Sequence, residues 1–285
     1  MTLIVPDTEP AVADTETARA RSSAFARALW SLVWPIAVAV LVVVVGWLAF
    51  LTAYDVSPAV GKTPAAVWDY LCTDPAAAEH RGAVFGALGR TLTDAALGYG
   101  GGLAAALVLA TVFVLFSPFE QAFLPIVMLL RSVPLVAMTP VILLAFGRGA
   151  AGVAVIGGVV VFFPAMVNIM LGLRSASRQA TELVLAYGGN RLTVLRRVAL
   201  PSAIPALFAS ARISVPAALV GALVAEWLAT SGGIGGAIPN AIGGFDYAQV
   251  WSDIVVLTGA SLLLYTLVAV LESVVLTANG MPDRE

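Results

Sequence analysis

The amino-acid sequence is divided into long stretches that carry almost no charge. Residues 29–54 contain no charged side chain, and about 20 apolar residues suffice for a helix to cross the hydrocarbon core of a bilayer. Overall, 60% of the residues are hydrophobic and 11% are charged, a composition typical of polytopic membrane proteins. Because lipid offers no partner to open strand edges, we predict an all-α fold with about six transmembrane helices. The apolar runs cover residues 29–54, 92–116, 119–146, 150–173, 203–229 and 254–276. In the second run, Gly98 and Gly102 form a small-xxx-small pair that predicts close helix packing. The uncharged, glycine-rich segment 231–245 predicts a tight or re-entrant turn outside the membrane.

Arginine residues predict how these helices are oriented. Three of them precede the first run, and five more cluster between the fourth and fifth runs. The positive-inside rule places both groups in the cytoplasm, and an even number of spans returns the C-terminus to the same side. Residues 1–28 are too polar to pack and too acidic for a signal peptide, so we expect a disordered cytoplasmic tail before a transmembrane domain over residues 29–285. The arginines are Arg19, Arg21, Arg27, Arg174, Arg178, Arg191, Arg196 and Arg197.

Several classes of function are disfavoured by what the sequence lacks. One cysteine, Cys72, and one histidine, His80, leave little material for a metal site or a histidine-based catalytic group, and we expect His80 to be exposed in a loop. Gly61-Lys62-Thr63 resembles the end of a nucleotide-binding P-loop, but Val56 occupies the position that requires the first glycine. No zinc-protease or serine-hydrolase motif occurs, and the net charge of -2 does not favour a nucleic-acid partner. We therefore expect no catalytic residue, metal or cofactor in this chain.

The segment 178–201 is the longest polar interruption in the second half of the chain. Ala180, Leu183, Val184 and Tyr187 share one face of a predicted helix. Gly188-Gly189 predicts its end, because glycine readily adopts the left-handed conformation that closes a last helical turn. Asn190 is suited to cap a second helix, which we expect Pro201 to end. The pattern indicates two short helices outside the bilayer, joined by a glycine turn; an interfacial amphipathic helix pair is the alternative. The second helix places Leu192, Leu195, Val198 and Ala199 on one side.

This segment resembles the cytoplasmic loop of binding-protein-dependent ABC importer permeases. That loop begins with Glu-Ala-Ala, continues to a spaced glycine, and ends in an aliphatic residue, any residue and Leu-Pro. Leu183 and Val184 replace the two alanines here, which makes the first helix bulkier. The resemblance covers about residues 85–275, and within the family the chain is similar to the nitrate, sulfonate and taurine branch. Matching positions are Glu182, Gly188, Val198, Leu200 and Pro201 in the loop, and Arg131, Pro134, Pro140, Pro164, Asn168 and Gly172 before it.

The resemblance implies a multi-pass permease subunit in the cell membrane, with residues 29–285 as the permease domain. Such a subunit pairs with a second permease chain, either a copy or a paralogue, and takes a small solute from an external binding protein. Separate ATPase subunits bind ATP and Mg and contact the 178–201 loop. The branch suggests a small anion, such as nitrate or an alkanesulfonate, or a small heterocycle, such as a pyrimidine or vitamin precursor. The loop residues expected to couple to the ATPase are Glu182, Leu183, Tyr187, Gly188, Arg191, Leu200 and Pro201.

Polar residues within the apolar runs are candidates for the translocation pathway. A charge at the centre of a spanning helix costs about 2.5–3.5 kcal/mol on insertion scales, so Arg131, Arg212 and Glu226 require an explanation. They either line the pathway, pair across helices, or reach an interface. Asn168 either lines the pathway or bonds two helices together. We name Arg131, Asn168 and Glu226 as pathway candidates.

Two other functions would fit an apolar chain of this kind. An ion-gradient-driven secondary transporter usually shows internal repeats and several acidic residues near the middle of the membrane, and neither is evident here. A membrane-embedded enzyme would need a cluster of histidine and carboxylate side chains, which the sequence does not offer. The importer subunit is preferred because it also accounts for the 178–201 helix pair.

Overall fold

The computed structural model describes Trp34 and residues 38–278, and every regular element in that part of the chain is helical. The predicted tail, residues 1–28, and the last residues, 279–285, lie outside it. The helices are α1 (Val38–Ala53), α2 (Pro64–Trp68), α3 (Ala77–Leu115), α4 (Ser117–Ser132), α5 (Leu135–Phe146), α6 (Ala150–Arg174), α7 (Arg178–Ala186), α8 (Arg191–Val194), α9 (Leu200–Ala225), α10 (Gly233–Gly243) and α11 (Tyr247–Ala278). Single π-helical turns follow α2, α8 and α9.

Four helical segments are long and apolar enough to cross a membrane: Ala77–Leu115, Ala150–Arg174, Arg191–Thr230 and Tyr247–Ala278. A fifth is possible because α4 and α5 pass the same test together, although they are bent by 108° at Val133-Pro134. The all-α polytopic fold class is therefore confirmed. The predicted first span, residues 29–54, lies partly outside the described residues, and its described helix α1 is shorter than 18 residues.

The chain divides into two compact units, one ending at Ala65 and one beginning at Ala66. In the first unit α1 is exposed along most of its length, and the loop after it returns to the end of the helix. A β-carbon at Gly61 would lie 2.7 Å from Leu51 Cδ2 and 2.8 Å from Val56 Cγ1, so the packing within this unit favours glycine there. Lys62 Nζ donates to the Pro58 carbonyl oxygen at 3.0 Å.

In the second unit, α3 begins fifteen residues before the predicted apolar run, at Ala77 rather than Leu92. At about 1.5 Å per residue its 39 residues extend roughly 58 Å, well beyond the 30 Å of a bilayer core. The first turn is fixed by His80, which stacks on Tyr70 with ring centroids 3.9 Å apart and bonds to its carbonyl oxygen through Nδ1 at 3.0 Å. His80 is therefore a half-buried helical residue and not the exposed loop histidine expected from the sequence.

Helices α3, α6 and α9 meet where their glycines allow the backbones to touch. A β-carbon on Gly98 would lie 2.8 Å from the Gly157 backbone, and one on Gly102 would lie 2.7 Å from Gly158 O. From α9, a β-carbon on Gly221 would lie 2.7 Å from Gly157 Cα. The sequence prediction that Gly98 and Gly102 form a close helix contact is confirmed. The core of the second unit is built around these three helices.

Two predictions about local structure are wrong. Pro201 does not end the second helix of the 178–201 segment, because the helix continues through a π-helical turn, Leu195–Ala199, into α9. In that turn Leu200 N bonds to Leu195 O, five residues back, so Pro201 stands in the first turn of α9, where a missing amide is tolerated. The glycine-rich segment 231–245 was predicted to be a tight or re-entrant turn, and it is not a tight turn, because most of it forms helix α10.

Candidate functional site

The 178–201 segment forms the predicted pair of helices joined by a glycine turn. Ser177 caps α7 by accepting a hydrogen bond from Ala180 N at 3.4 Å, and Arg178 Nε donates to Glu182 Oε1 at 2.8 Å one turn away. The Glu182 side chain is 61% exposed, so the ion pair stabilises α7 only slightly and leaves the carboxylate available to a partner.

Gly188 and Gly189 make the turn for different reasons. Gly188 has a φ of +81°, in the left-handed region where a side chain is strained, while nothing lies within 4 Å of a β-carbon there. Gly189 donates to Val184 O at 2.9 Å, and a β-carbon on it would lie 2.6 Å from Val184 Cγ1. Asn190 then starts α8 by accepting from Thr193 N at 2.9 Å, as predicted from the sequence.

The helix pair exposes apolar side chains that the rest of the second unit does not cover. Tyr187 is 87% exposed and Leu183 is 59% exposed, while α7 contains no buried residue at all. Leu192, at the start of α8, is 44% exposed. Large apolar side chains exposed together on a short polar segment are typical of a surface that binds a protein partner.

The second helix of the pair is anchored in the core of the protein. Leu195 and Ala199 are buried in the same cluster as Phe113 of α3 and Ile169 of α6, and Leu200 packs against it. Pro201 is exposed. Residues 195–200, where the helix pair joins α9, are called its root; close packing in the core connects the pair to α9 through this root.

Two contacts fix the surroundings of the pair. The exposed Arg191 donates through Nη1 to the carbonyl oxygen of Leu115, at the last residue of α3, at 3.3 Å. Arg174, at the end of α6, forms an ion pair with Glu120 of α4. The pair consequently lies beside the C-terminal ends of α3 and α6.

The pathway candidates lie on three different elements, and in the described part of the chain no hydrogen bond or ion pair joins one to another. Arg131 is exposed at the end of α4, and Asn168 is half-buried on α6. Glu226 is fully buried in the turn after α9. Their role in the pathway stays a prediction. Arg212, for which several explanations were open, forms an ion pair with Glu272 of α11 at 3.1 Å and lies over the Tyr265 ring.

Glu226 is held by residues that sequence reasoning missed. Its Oε2 accepts from Thr91 Oγ1 at 2.9 Å and from Gly235 N at 2.8 Å. Thr91 also accepts from Ile234 N at 2.9 Å, so one hydroxyl connects α3, α10 and the end of α9. Thr91 precedes Glu226 by 135 residues, and neither periodicity nor motif spacing connects the two.

The comparisons with known proteins place the chain in a family of transport proteins. A family model described as binding-protein-dependent transport system inner membrane component matches residues 98–278. The chain belongs to this family. The matched region contains the helix pair, its root and Glu226, whereas Thr91 precedes it.

Three relatives illustrate the similarity. The riboflavin transport system permease protein RibX of Chloroflexus aurantiacus is 34% identical over 54% of this chain and 57% of its own length. The formylaminopyrimidine transport permease protein ThiX of Halalkalibacterium halodurans is 31% identical over 55% and 63%. A putative aliphatic sulfonates transport permease protein SsuC of Bacillus subtilis is 28% identical over 67% and 69%. The chain thus spans about three-fifths of the length of the first two relatives.

Proposed function

We propose that this chain is the permease subunit of an ATP-driven ABC importer and forms the path of a small solute through the cell membrane. The observation that carries the proposal is the exposed apolar face of the helix pair, on which Tyr187 is 87% exposed, joined to a root that is buried in the helical core. A secondary transporter needs no such surface. Membership of a binding-protein-dependent transport family supports the same function.

The proposed partners follow from this function. ATPase subunits bind ATP and Mg and contact the helix pair, and a binding protein delivers the solute on the opposite side. A second permease chain, identical or related, completes the pathway within the lipid. The N- and C-termini are proposed to be cytoplasmic because arginines concentrate around the helix pair. No enzymatic step and no nucleic acid is assigned to the chain.

The helix pair is proposed to act as a lever. When nucleotide closes the ATPase dimer, force enters through α7 and the start of α8 and reaches α9 through the continuous helix Arg191–Thr230. Leu195 and Ala199 connect this helix to α3 and α6 in one close-packed cluster. Packed interfaces shift between discrete arrangements and do not deform continuously, so motion at the pair turns into a change of helix packing.

The names of the relatives limit the candidate solutes, because these relatives are named as transport proteins for riboflavin, formylaminopyrimidine, aliphatic sulfonates, taurine and nitrate. We propose a small polar molecule from these classes, either an anion or a heterocycle. The solute bound to the binding protein that copurifies with the complex would identify it.

Replacement of Gly188 in the turn tests the proposed role of the helix pair. Gly188→Pro removes the amide that donates to Leu185 O and fixes a φ opposite in sign to the observed +81°. Gly188→Asn is the matched control, since asparagine tolerates left-handed backbone. We expect normal membrane insertion of both variants, but loss of ATPase copurification or of uptake coupled to hydrolysis in proteoliposomes only for the proline variant. Wild-type uptake by Gly188→Pro would remove the helix pair from the mechanism.

A second pair of variants distinguishes two roles of Glu182: contact with the ATPase, and stabilisation of α7 through the ion pair with Arg178. Glu182→Lys reverses the charge offered to the ATPase, whereas Arg178→Gln breaks the same 2.8 Å contact and leaves the carboxylate in place. The exposed contact itself is worth only about 0.3–0.5 kcal/mol, so Arg178→Gln should couple normally. If Glu182 acts on the ATPase, only Glu182→Lys weakens copurification. Equal effects of the two variants would assign the result to helix stability.

A further inference from the structure

A polar cavity lies between the N-terminal half of α3 and α10. It consists of two adjoining parts of about 560 and 570 Å³ that share a wall formed by Gly86, Arg90, Gly232 and Gly233. These volumes are in the range of small-molecule sites. Arg90 precedes Leu115, which contacts the helix pair, by 25 residues, or roughly 37 Å along α3. The cavity therefore lies at the opposite end of α3 from the proposed ATPase surface.

The lining of the cavity differs from the rest of this apolar molecule. Side chains at its wall include a guanidinium, two carboxylates and two carboxamides, belonging to Arg90, Asp94, Asp246, Asn240 and Gln249. Another groove, between α9 and α11, is lined by residues such as Leu219, Leu257 and Leu262 and resembles an ordinary lipid-facing surface. Polar side chains within membrane proteins are costly unless they face water or a polar ligand.

Glycines on α3 leave the space open. Gly82, Gly86 and Gly89 follow one side of the helix, and nothing lies within 4 Å of a β-carbon on any of them. Gly98 and Gly102 of the same helix would place a β-carbon within 2.8 Å of α6. The later glycines serve helix packing. Among the described residues the earlier three have no packing neighbour to accommodate, so their effect is to widen the cavity.

A buried carboxyl group stands directly behind the shared wall. A β-carbon on Gly233 would lie 2.0 Å from Glu226 Oε1. Asp94, which lines one part of the cavity, is close enough for its charge to act on Glu226. The carboxyl groups around this space therefore outnumber its single guanidinium, that of Arg90.

We infer that the cavity is a solute-contacting site of the pathway, and that it accepts neutral or amine-bearing polar solutes in preference to small inorganic anions. The inference rests on the proposed transport function and narrows its solute class. Two carboxylates against one guanidinium repel a simple anion. The carboxamides of Asn240 and Gln249 offer both donors and acceptors, which suit a heterocycle or a zwitterion.

Cysteine labelling of the full chain in native membranes tests the inference. The exposed Cys72 is replaced by serine, and Gly86→Cys is introduced into the shared wall, where a β-carbon meets nothing within 4 Å. Gly101→Cys is the matched control, because Gly101 is an exposed glycine of the same helix with equally open space and lines neither part of the cavity. The probes are trimethylammonioethyl and sulfonatoethyl methanethiosulfonate.

We expect Gly86→Cys to react with both reagents and Gly101→Cys to react far more slowly. The measured quantity is the ratio of the cationic to the anionic labelling rate. At Gly86→Cys this ratio should be at least as large as it is at native Cys72. Adding Asp94→Asn should shift the ratio towards the anion and Arg90→Gln towards the cation, each by about threefold or more. An unreactive Gly86→Cys, or an anionic reagent that is faster by more than about threefold, would overturn the inference.

Protection by solutes completes the test. A neutral aminopyrimidine or taurine should slow the labelling of Gly86→Cys, and sodium nitrate should not. Protection by nitrate alone contradicts the solute class, and protection by none of the three contradicts a solute-contacting site. Neither result touches the proposed importer function, which is judged separately by ATPase copurification with Gly188→Pro.

Discussion

Glu226 shows how a carboxyl group is accommodated inside an apolar helix bundle. Its side chain is fully buried, yet one oxygen accepts two hydrogen bonds, from Thr91 and from the Gly235 amide. Thr91 in turn accepts from Ile234 N. A buried acceptor that receives such bonds is tolerated, whereas removal of one member leaves the remaining groups unpaired. The cluster thereby connects α3 to the start of α10.

Replacement of Glu226 should reveal this connection. Glu226→Ala leaves Gly235 N without its acceptor and leaves Thr91 Oγ1 only the Ala87 carbonyl oxygen at 3.3 Å, so it should lower the free energy of unfolding by about 1–3 kcal/mol. Glu226→Gln keeps a carbonyl acceptor and should cost less. Thermal unfolding of the detergent-purified chain measures both. In a cycle with Thr91→Val the two changes should be clearly non-additive, and additive losses would contradict a shared cluster.

At the residue scale, the sequence predicted what local chemistry determines. The left-handed conformation of Gly188 and the capping role of Asn190 follow from their own backbone and side-chain preferences, and both are confirmed. Glu226 was recognised only as an unusual charge. Its partner Thr91 could not be predicted, because 135 residues separate the two and the contact depends on how α3 packs.

At the scale of helices, glycine spacing determines where backbones touch. Gly98 and Gly102 were predicted as a contact from their separation alone, and the structure places both against α6. The same helix also contains Gly100 and Gly101, and their spacing in the sequence does not show that they differ from Gly98 and Gly102 in function. A β-carbon on Gly100 or Gly101 would have no described residue within 4 Å. Only the direction in which each residue faces separates the two kinds.

A pair of alanine variants tests this distinction. Gly98→Ala adds a methyl group 2.8 Å from the Gly157 backbone, and overpacking of this kind costs about 1–3 kcal/mol. Gly101→Ala adds the same group in open space and should be neutral or slightly stabilising, because alanine favours the helix. Thermal unfolding in detergent compares the two. Equal midpoints would mean that α3 and α6 do not approach each other as described.

Pro201 illustrates the limit of helix-stop rules. Proline was expected to end the helix because it lacks an amide, but a π-helical turn at Leu195–Ala199 precedes it and the helix runs on to Thr230. The rule considers one hydrogen bond, whereas the packing of Leu195 and Ala199 in the core fixes the course of the chain. Tertiary burial outweighs the local preference here.

The helix pair predicts different effects for its exposed apolar face and for its buried root. Tyr187→Ala removes an exposed contact residue and should weaken ATPase binding by about tenfold, or 1.4 kcal/mol, without lowering thermal stability. Leu195→Ala opens a cavity in the root and should lower stability by about 2–5 kcal/mol while leaving the contact surface intact. We expect Leu195→Ala to bind the ATPase but to hydrolyse ATP with little uptake. Wild-type coupling by Leu195→Ala would mean that the root does not transmit the motion.

At the scale of the whole molecule, the distribution of charge determines the proposed orientation. Arginines surround the helix pair, whereas the turn that contains Cys72 lies on the other side of the α3 span. The sequence predicted this order of loops because apolar runs and arginine positions are local properties. It did not predict the cavity beside Arg90, since that cavity arises only when α10 folds against α3.

The orientation can be tested with the cysteine that the chain already contains. Cys72 is exposed and should react with a membrane-impermeant maleimide added to intact cells. A Gln179→Cys variant in a Cys72→Ser background places an exposed thiol on α7 and should react only after the membrane is made permeable. The two sites are separated by the α3 and α6 spans and by the bent pair α4 and α5. If Gln179→Cys reacted in intact cells, the helix pair would face away from cytoplasmic ATP, and no ATPase could use it as a lever.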